Sequence, residues 1–284
     1  MDSALSQVLK SPTIVLTVGT PEVHEEIYFV HESVLTRSSH YFKHLLNSKF
    51  AENSKKEVTL STVVDTPEAC ELFLEFAYNG RFEPPTTSNA LLCYGKAYLF
   101  AEKIQATAFK HYIYERAKAE AEQKFQELDF LFKTIRPTDA LSQRRVELLE
   151  TWSSLIEMIY DGTYDSKDEL LKAEPLPDPS VSFKGHMQNM KSWLDTTNLD
   201  TFRRLLSQIS AKYPLVIACS PQILRLVRCI PEFAADILNH QLNSAIDEIQ
   251  KAQDIAAGNV STTARKRSMF HTHNGVVWSI SDEY

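Results

Sequence analysis

Two short β-branched runs near the N-terminus, followed by almost unbroken helical periodicity, set the limits on what this chain can fold into. Ile14-Val15-Leu16-Thr17-Val18 ends at Gly19-Thr20-Pro21, a turn signal, and Ile27-Tyr28-Phe29-Val30 follows after a polar stretch. The two runs predict a β-hairpin at the start of a domain. The period then changes from two to between three and four. Val34 and Leu35, then Phe42, Leu45 and Leu46, predict two short helices, with Ser38 and Ser39 as candidate N-caps. Glu57-Val58-Thr59-Leu60 is one more alternating strand. Three short strands among many helices make an α+β class, not a barrel or a sandwich.

The best-marked helix begins at Asp65-Thr66-Pro67. Thr66 accepts backbone N–H bonds as N-cap, and Pro67 at the first position gives up no donor that the helix would use. Ala69, Leu72, Phe73, Phe76 and Ala77 form its apolar face, and Asn79-Gly80 ends it, because both residues tolerate the left-handed conformation. After Pro84-Pro85 comes a helix with Leu91, Tyr94, Tyr98 and Ala101 on one face, then another with Ile104, Ala108, Tyr112 and Ile113. No breaker stands between Lys118 and Pro137, and Phe125, Leu128, Phe132 and Ile135 keep the spacing, so helix continues or resumes there.

The second half is helical in period. Leu148, Leu149, Trp152, Ile156 and Ile159 form a stripe ending at Gly162, and Phe202, Leu205, Leu206 and Ile209 form another. Pro175, Pro177 and Pro179 mark a linker, and Pro221 and Pro231 start two more helices, the last running from about Glu232 to Ala257. From Gly258 the chain is polar except for Val276-Val277-Trp278-Ser279-Ile280, a strand-like run.

Composition bears mainly on what the chain does not do. With 284 residues it buries a core without metals or disulfides. Only seven glycines occur, which argues against glycine-rich phosphate loops, and neither GxGxxG nor GxxxxGKS/T is present. A net charge of −7 opposes direct nucleic-acid binding, which needs a cationic surface to displace counterions from phosphates. Cys70, Cys93, Cys219 and Cys229 form no CxxC pair. There is no apolar run of signal-peptide length, and none approaches the roughly 20 residues of a membrane span. The expectation is a cytoplasmic or nuclear protein, not secreted, with reduced thiols and no membrane association. Ala264-Arg265-Lys266-Arg267 reads either as a nuclear import signal or, more commonly for three basic residues in a polar stretch, as a solvated run.

The histidines support no metal or catalytic site. His24-Glu25 and His31-Glu32 begin like HExxH, but Tyr28 and Leu35 stand where the second histidine is needed one helical turn on. His40 and His44 have that spacing without a glutamate base between them, and a solvent-facing pair beside buried Phe42 is the simpler reading. His271-x-His273 supplies two ligands, too few for a structural zinc site. No GxSxG elbow occurs. No catalytic residue, cofactor or metal ligand is assigned, and the chain is read as a non-enzyme.

The ordered blocks resemble BTB/POZ domains. Phe29-Val30-His31-Glu32-Ser33-Val34-Leu35 resembles that family's "F-x-V-H-x-x-V-L" segment, and Ser38-Ser39-His40-Tyr41-Phe42 its "S-x-Y-F" element. Phe50-Ala51-Glu52-Asn53-Ser54 with Glu57-Val58-Thr59-Leu60 resembles "F-x-E-S…V-x-L". The helix from Pro67 through Phe82 and the Ala97–Ile104 segment are similar to two further family helices. Five blocks in order cover residues 12–120. The chain departs from the family at Thr13, where the opening aspartate is expected, and at Glu32, where many members carry a basic residue. The second half resembles, more loosely, the helical C-terminal extension of filamentous-fungal BTB proteins, through Tyr160-Asp161-Gly162-Thr163 and Pro231-Glu232-Phe233-Ala234-Ala235-Asp236-Ile237-Leu238.

The resemblance implies a BTB/POZ fold over 12–120, a helical region over 121–257 and a polar tail over 258–284. It implies protein partners: another BTB domain, a second copy in a homodimer, or a cullin scaffold. Thr13, His31 and Glu32 are the groove and dimer candidates. Phe50 and Glu52 are the cullin-contact candidates, since a hydrophobic-x-Glu element in this loop contacts the cullin in binders. An aromatic anchor beside a carboxylate makes a hot spot; a packed Phe50 with a solvated Glu52 is the competing reading. His31 reads mainly as a fold signature. Two functions follow: a substrate adaptor of a cullin-type ubiquitin ligase, or an oligomerising scaffold or transcription-linked regulator without a ligase role. An enzyme with an unrecognised site in the helical half is the third reading.

Overall fold

Ile14, Leu16 and Val18 alternate with Thr13, Val15 and Thr17, so an extended chain here buries one face and leaves the other outward. A computed structural model describes residues 8, 10–21, 24–47, 55–83, 85, 89–133, 139–163 and 200–256. Strand β1 (Thr13–Thr20) pairs antiparallel with β2 (His24–His31), Ile14 opposite Val30 and Leu16 opposite Tyr28. Gly19 permits the tight return: its φ is +102°, and a Cβ there would lie 2.0 Å from the His24 carbonyl oxygen. Strand β3 (Glu57–Leu60) joins the other side of β1 in parallel, giving the order β2-β1-β3.

The crossover from β2 to β3 carries α1 (Glu32–Ser38) and α2 (His40–Asn47). Buried Ser39 separates them in an extended conformation. Its hydroxyl accepts the Phe42 N–H at 3.1 Å and donates to the Ile104 carbonyl, so it caps α2 and ties the corner to the rest of the domain. Ser38, the other candidate cap, is the last residue of α1.

Helix α3 (Pro67–Asn79) follows the sequence reading at both ends. Thr66 Oγ1 accepts the Ala69 N–H at 3.3 Å. Gly80, at φ 72°, closes it through its N–H to Phe76 O at 2.7 Å. Just before it, the buried Asp65 carboxylate accepts from the Thr62 N–H and hydroxyl and pairs with Lys103.

Helix α4 (Ala90–Lys103) is buried on nearly all sides, not on the single face its periodicity suggests. Leu91, Tyr94, Ala97, Tyr98, Leu99, Phe100 and Ala101 are all covered. It packs on α3 and α5 on one side and on α6 on the other. Two glycines allow the second contact. A Cβ at Gly95 would come within 2.6 Å of Leu155, and one at Gly162 within 2.6 Å of Leu99.

Helix α5 (Thr107–Lys133) runs unbroken for 27 residues, so residue 120 falls inside it. Its buried stripe is Phe109, Ile113, Ala117, Ala121, Phe125, Leu128 and Leu131. The stripe starts one residue later than expected: Ala108 is exposed, and Ile104 ends α4 as its C-cap. Ile135 lies outside the described residues.

Helices α6 (Asp139–Gly162), α7 (Thr201–Lys212), α8 (Pro214–Cys219), α9 (Pro221–Cys229) and α10 (Pro231–Ala256) complete the order. The expected stripes on α6 and α7 are buried. Helix α8 is too short for periodicity to reveal. The linker over 174–185, the tail from 258 and the run 276–280 lie outside the described residues.

One apolar core joins the two regions: Phe125 meets Trp152 at 4.5 Å between ring centres, and Tyr98 meets Phe202 at 4.9 Å. A polar knot ties α6, α7 and α10. Arg203, 2% exposed, donates from Nε to Thr163 Oγ1 at 2.7 Å and from Nη2 to the Tyr160 carbonyl at 3.0 Å, with its guanidinium 4.7 Å from the Tyr160 ring centre. The Tyr160 hydroxyl donates to Asp236 Oδ2 at 2.7 Å. Burial, together with the Asp236 carboxylate, pushes the Tyr160 phenol well above its ordinary value.

Candidate protein-binding surface

Three of the predicted site residues come together where β2 turns into α1. Thr13 stands opposite His31 across the β1–β2 ladder, and Glu32 follows at once. The Glu32 N–H donates to Pro12 O at 2.8 Å, and its carboxylate pairs with Lys56 Nζ at 2.9 Å. Lys56 sits at φ 55° just before β3, and its carbonyl accepts the Val15 N–H at 2.9 Å. Glu32 therefore bonds a lysine of its own chain, which stands at the entry of β3. Thr13 is exposed, and His31 and Glu32 are half-buried.

His31 joins β2 to α3. Its backbone N–H donates to the Tyr78 hydroxyl at 3.1 Å, and its Nδ1 lies 2.9 Å from the same oxygen. These bonds tie the start of α1 to the end of α3.

Phe50 and Glu52 lie outside the described residues, in the connection between α2 and β3. The helix that leads into that connection is well anchored. Phe42 and Leu46 are buried, and the backbone N–H groups of His40 and Tyr41 donate to Gln105 and Ile104 carbonyls, both at 3.4 Å.

The α1–α2 corner, the end of α3 and the start of α5 enclose a cleft of about 580 Å³. Arg37, His40 and Lys43 line it with Tyr78 and Thr107, and no carboxylate does. Arg37 is held by a 2.9 Å bond to Ala77 O. In a chain of net charge −7, this cleft is a local site that favours acidic groups. Arg37 and Lys43 belong to no basic run in the sequence, so only the fold reveals it. His40 and His44 are both exposed on α2, and among the described residues no three His, Cys, Asp or Glu side chains converge as a metal site.

Apolar exposure marks two further areas. Ile27 and Phe29 stand out from β2, 56% and 74% exposed. In the helical region Phe130, Leu238 and Ile249 are exposed. An all-apolar run such as Ile27–Val30 does not say which of its faces is buried, so the sequence alone gave no sign of the first patch.

The joint between the regions is polar at its rim. Asp200 caps α7 by accepting from the Phe202 and Arg203 N–H groups, accepts the Tyr98 hydroxyl at 2.9 Å, and lies 3.4 Å from Lys110 Nζ. Burial and the Asp200 carboxylate raise the Tyr98 phenol above its ordinary value. Burial opposes the Lys110 charge, but the hydrogen bond to Glu102 and the neighbouring Tyr98 and Asp200 outweigh it, and the Lys110 ammonium is held above its ordinary value. No helix among the described residues is long and apolar enough to cross a membrane.

Residues 6–115 match the BTB/POZ domain family. No curated protein is similar enough to match the chain.

Proposed function

We propose, from the premise that residues 6–115 are a BTB/POZ domain and so a protein–protein interaction module, that this chain is a substrate adaptor for a cullin-type ubiquitin ligase. The observation that carries the reading is the Phe50-x-Glu52 element, which follows the cullin-contact pattern of the family and comes shortly after the anchored helix α2 in the sequence. An aromatic side chain that enters an apolar pocket beside a carboxylate that meets a donor is the usual composition of an interface hot spot.

The helical region recruits the second protein in this reading. Its support is the exposed Phe130, Leu238 and Ile249 on α5 and α10. The fungal type of extension is proposed on the same footing. Its two sequence segments meet in space, since Tyr160 and Thr163 of one and Asp236 of the other are joined through Arg203 and the Tyr160–Asp236 bond.

A pull-down between the purified chain and the BTB-binding N-terminal region of a cullin tests the adaptor role. Retention of the wild type and loss in Phe50→Ala/Glu52→Ala, with an unchanged melting curve, is the expected result. Absence of wild-type binding, or full binding by the double variant, removes the ligase role and leaves the scaffold reading.

A further inference from the structure

We propose that the cleft between α1, α2, α3 and α5 binds a phosphoserine or phosphothreonine side chain of a partner peptide, with Arg37, Lys43 and His40 as its side-chain donors. Arg37 stands in the last turn of α1, and His40 and Lys43, three residues apart, share one face of α2. All three line the same cleft of about 580 Å³, and no carboxylate lines it. The Arg37 guanidinium is held between α1 and α3 by its 2.9 Å bond from Nη2 to Ala77 O. That bond uses one of the five N–H donors of the group. Elsewhere in the same domain Lys56 pairs with Glu32, Lys103 with Asp65 and Lys110 with Glu102. Among the described residues no such partner neutralises Arg37 or Lys43.

Backbone donors add to the side chains. Thr107 and Ala108, the first residues of α5, form another part of the wall. The Lys110 N–H donates to Ala106 O at 2.9 Å, which makes Ala106 the capping residue, and alanine has no side-chain oxygen to accept from the first turn. Among the described residues the Thr107 and Ala108 N–H groups meet no backbone acceptor. The start of this 27-residue helix therefore adds partial positive charge to a wall that is already cationic. Across the cleft, Gly80 has no atom within 4 Å of where a Cβ would stand, so a peptide backbone can pass beside it.

The donors select the ligand. A guanidinium, an ammonium, an imidazole and backbone N–H groups reach the cleft from separate helices, so they surround an anion instead of lying in one plane. A phosphate monoester carries about −1.5 to −2 charges and three acceptor oxygens, whereas a carboxylate offers one charge and two oxygens. The volume lies within the roughly 300–1,000 Å³ of ligand sites, which leaves room for flanking peptide atoms beside the phosphate. Arg37, His40 and Lys43 are all exposed, so they stand at the rim, where the short side chain of phosphoserine or phosphothreonine reaches them. The proposal does not rest on the adaptor reading, since no cullin enters its test.

Fluorescence polarisation of labelled nine-residue peptide mixtures, with fixed central phosphoserine and randomised flanks, tests the site against the full chain. Protein is taken to about 200 μM, where binding worth only ~5 kcal/mol still registers. Central serine, glutamate and phosphotyrosine mixtures are run in parallel. The expected result is saturable binding of the phosphoserine mixture, at least about tenfold tighter than the other three, and at least about tenfold weaker in Lys43→Glu and in Arg37→Glu. Lys43→Glu keeps its melting curve, because the side chain is exposed. Lys118→Glu makes the same charge change on α5, about 16 Å along the helix from Thr107, and leaves binding unchanged at 0.15 M salt. No binding of the phosphoserine mixture, equal binding of the serine or glutamate mixture, or preference for phosphotyrosine overturns the proposal. An equal loss in Lys118→Glu, or displacement of the peptide by an equal concentration of inorganic phosphate, overturns it as well.

Discussion

Replacing Arg203 tests how the helical region is held together. The guanidinium is 2% exposed and spans from α7 to the end of α6, with bonds to Thr163 Oγ1 and the Tyr160 and Thr163 carbonyls and a face on the Tyr160 ring. Hydrogen bonds to a charged group contribute roughly 1.5–3 kcal/mol each before desolvation, and much of that is spent on taking the charge out of water. What decides the outcome is the state left behind. In Arg203→Ala the acceptors around Thr163 and the Tyr160 carbonyl lose their donors, and a cavity opens beside the Tyr160 ring. Removing one partner from such a network costs about 3–5 kcal/mol. Arg203→Lys restores the charge but not the planar fork, since one ammonium does not reach Thr163 and Tyr160 together; it should recover less than half of the loss. Urea unfolding followed by far-ultraviolet circular dichroism measures both variants. A cost below about 1 kcal/mol for Arg203→Ala, or full rescue by lysine, refutes the claim that the fork is what joins α6 to α7.

Other perturbations have equally definite outcomes. Gly19→Ala places a methyl 2.0 Å from His24 O at a φ of +102°, so the hairpin opens or the domain loses more than about 2 kcal/mol, read by thermal unfolding. Tyr98 and Tyr160 are raised above the ordinary phenol value by burial, the nearby carboxylates adding to it. Their protons are held more tightly in the folded state than in the unfolded one. The stability they contribute is complete below pH ~10 and falls as pH rises beyond it, because only the unfolded phenols ionise there. Absorbance at the phenolate band should show both tyrosines ionising only with unfolding, checked by Tyr98→Phe and Tyr160→Phe.

The fold was readable where local chemistry decides it. Thr66, Pro67 and Gly80 bound α3 through side-chain and backbone bonds that involve neighbours in sequence, and they stand where the residues place them. The hairpin at Gly19 is of the same kind. Readings failed where the partner lies far along the chain. The one-sided stripe expected on α4 became a helix covered on both sides, because α6 packs against it through Gly95 and Gly162. The stripe on α5 moved from Ala108 to Phe109, since Phe109 meets Phe73 and Phe82 edge-on and Phe76 at a tilt, contacts that no local period encodes. Arg203 carried no sequence signal as a core residue, yet it is among the largest buried side chains. At the site, the proximity of Thr13, His31 and Glu32 follows from strand register and was within reach of the sequence. The cleft lined by Arg37, His40 and Lys43 was not, because its walls come from four separate helices.

Calorimetric titration of the full chain with the N-terminal region of a cullin puts the adaptor account most directly at risk. The account predicts saturable one-to-one binding, weakened at least about tenfold, or 1.4 kcal/mol, by Phe50→Ala/Glu52→Ala, while the melting curve is preserved. Heats of dilution alone for the wild type, or an affinity that the double substitution leaves unchanged, would contradict it.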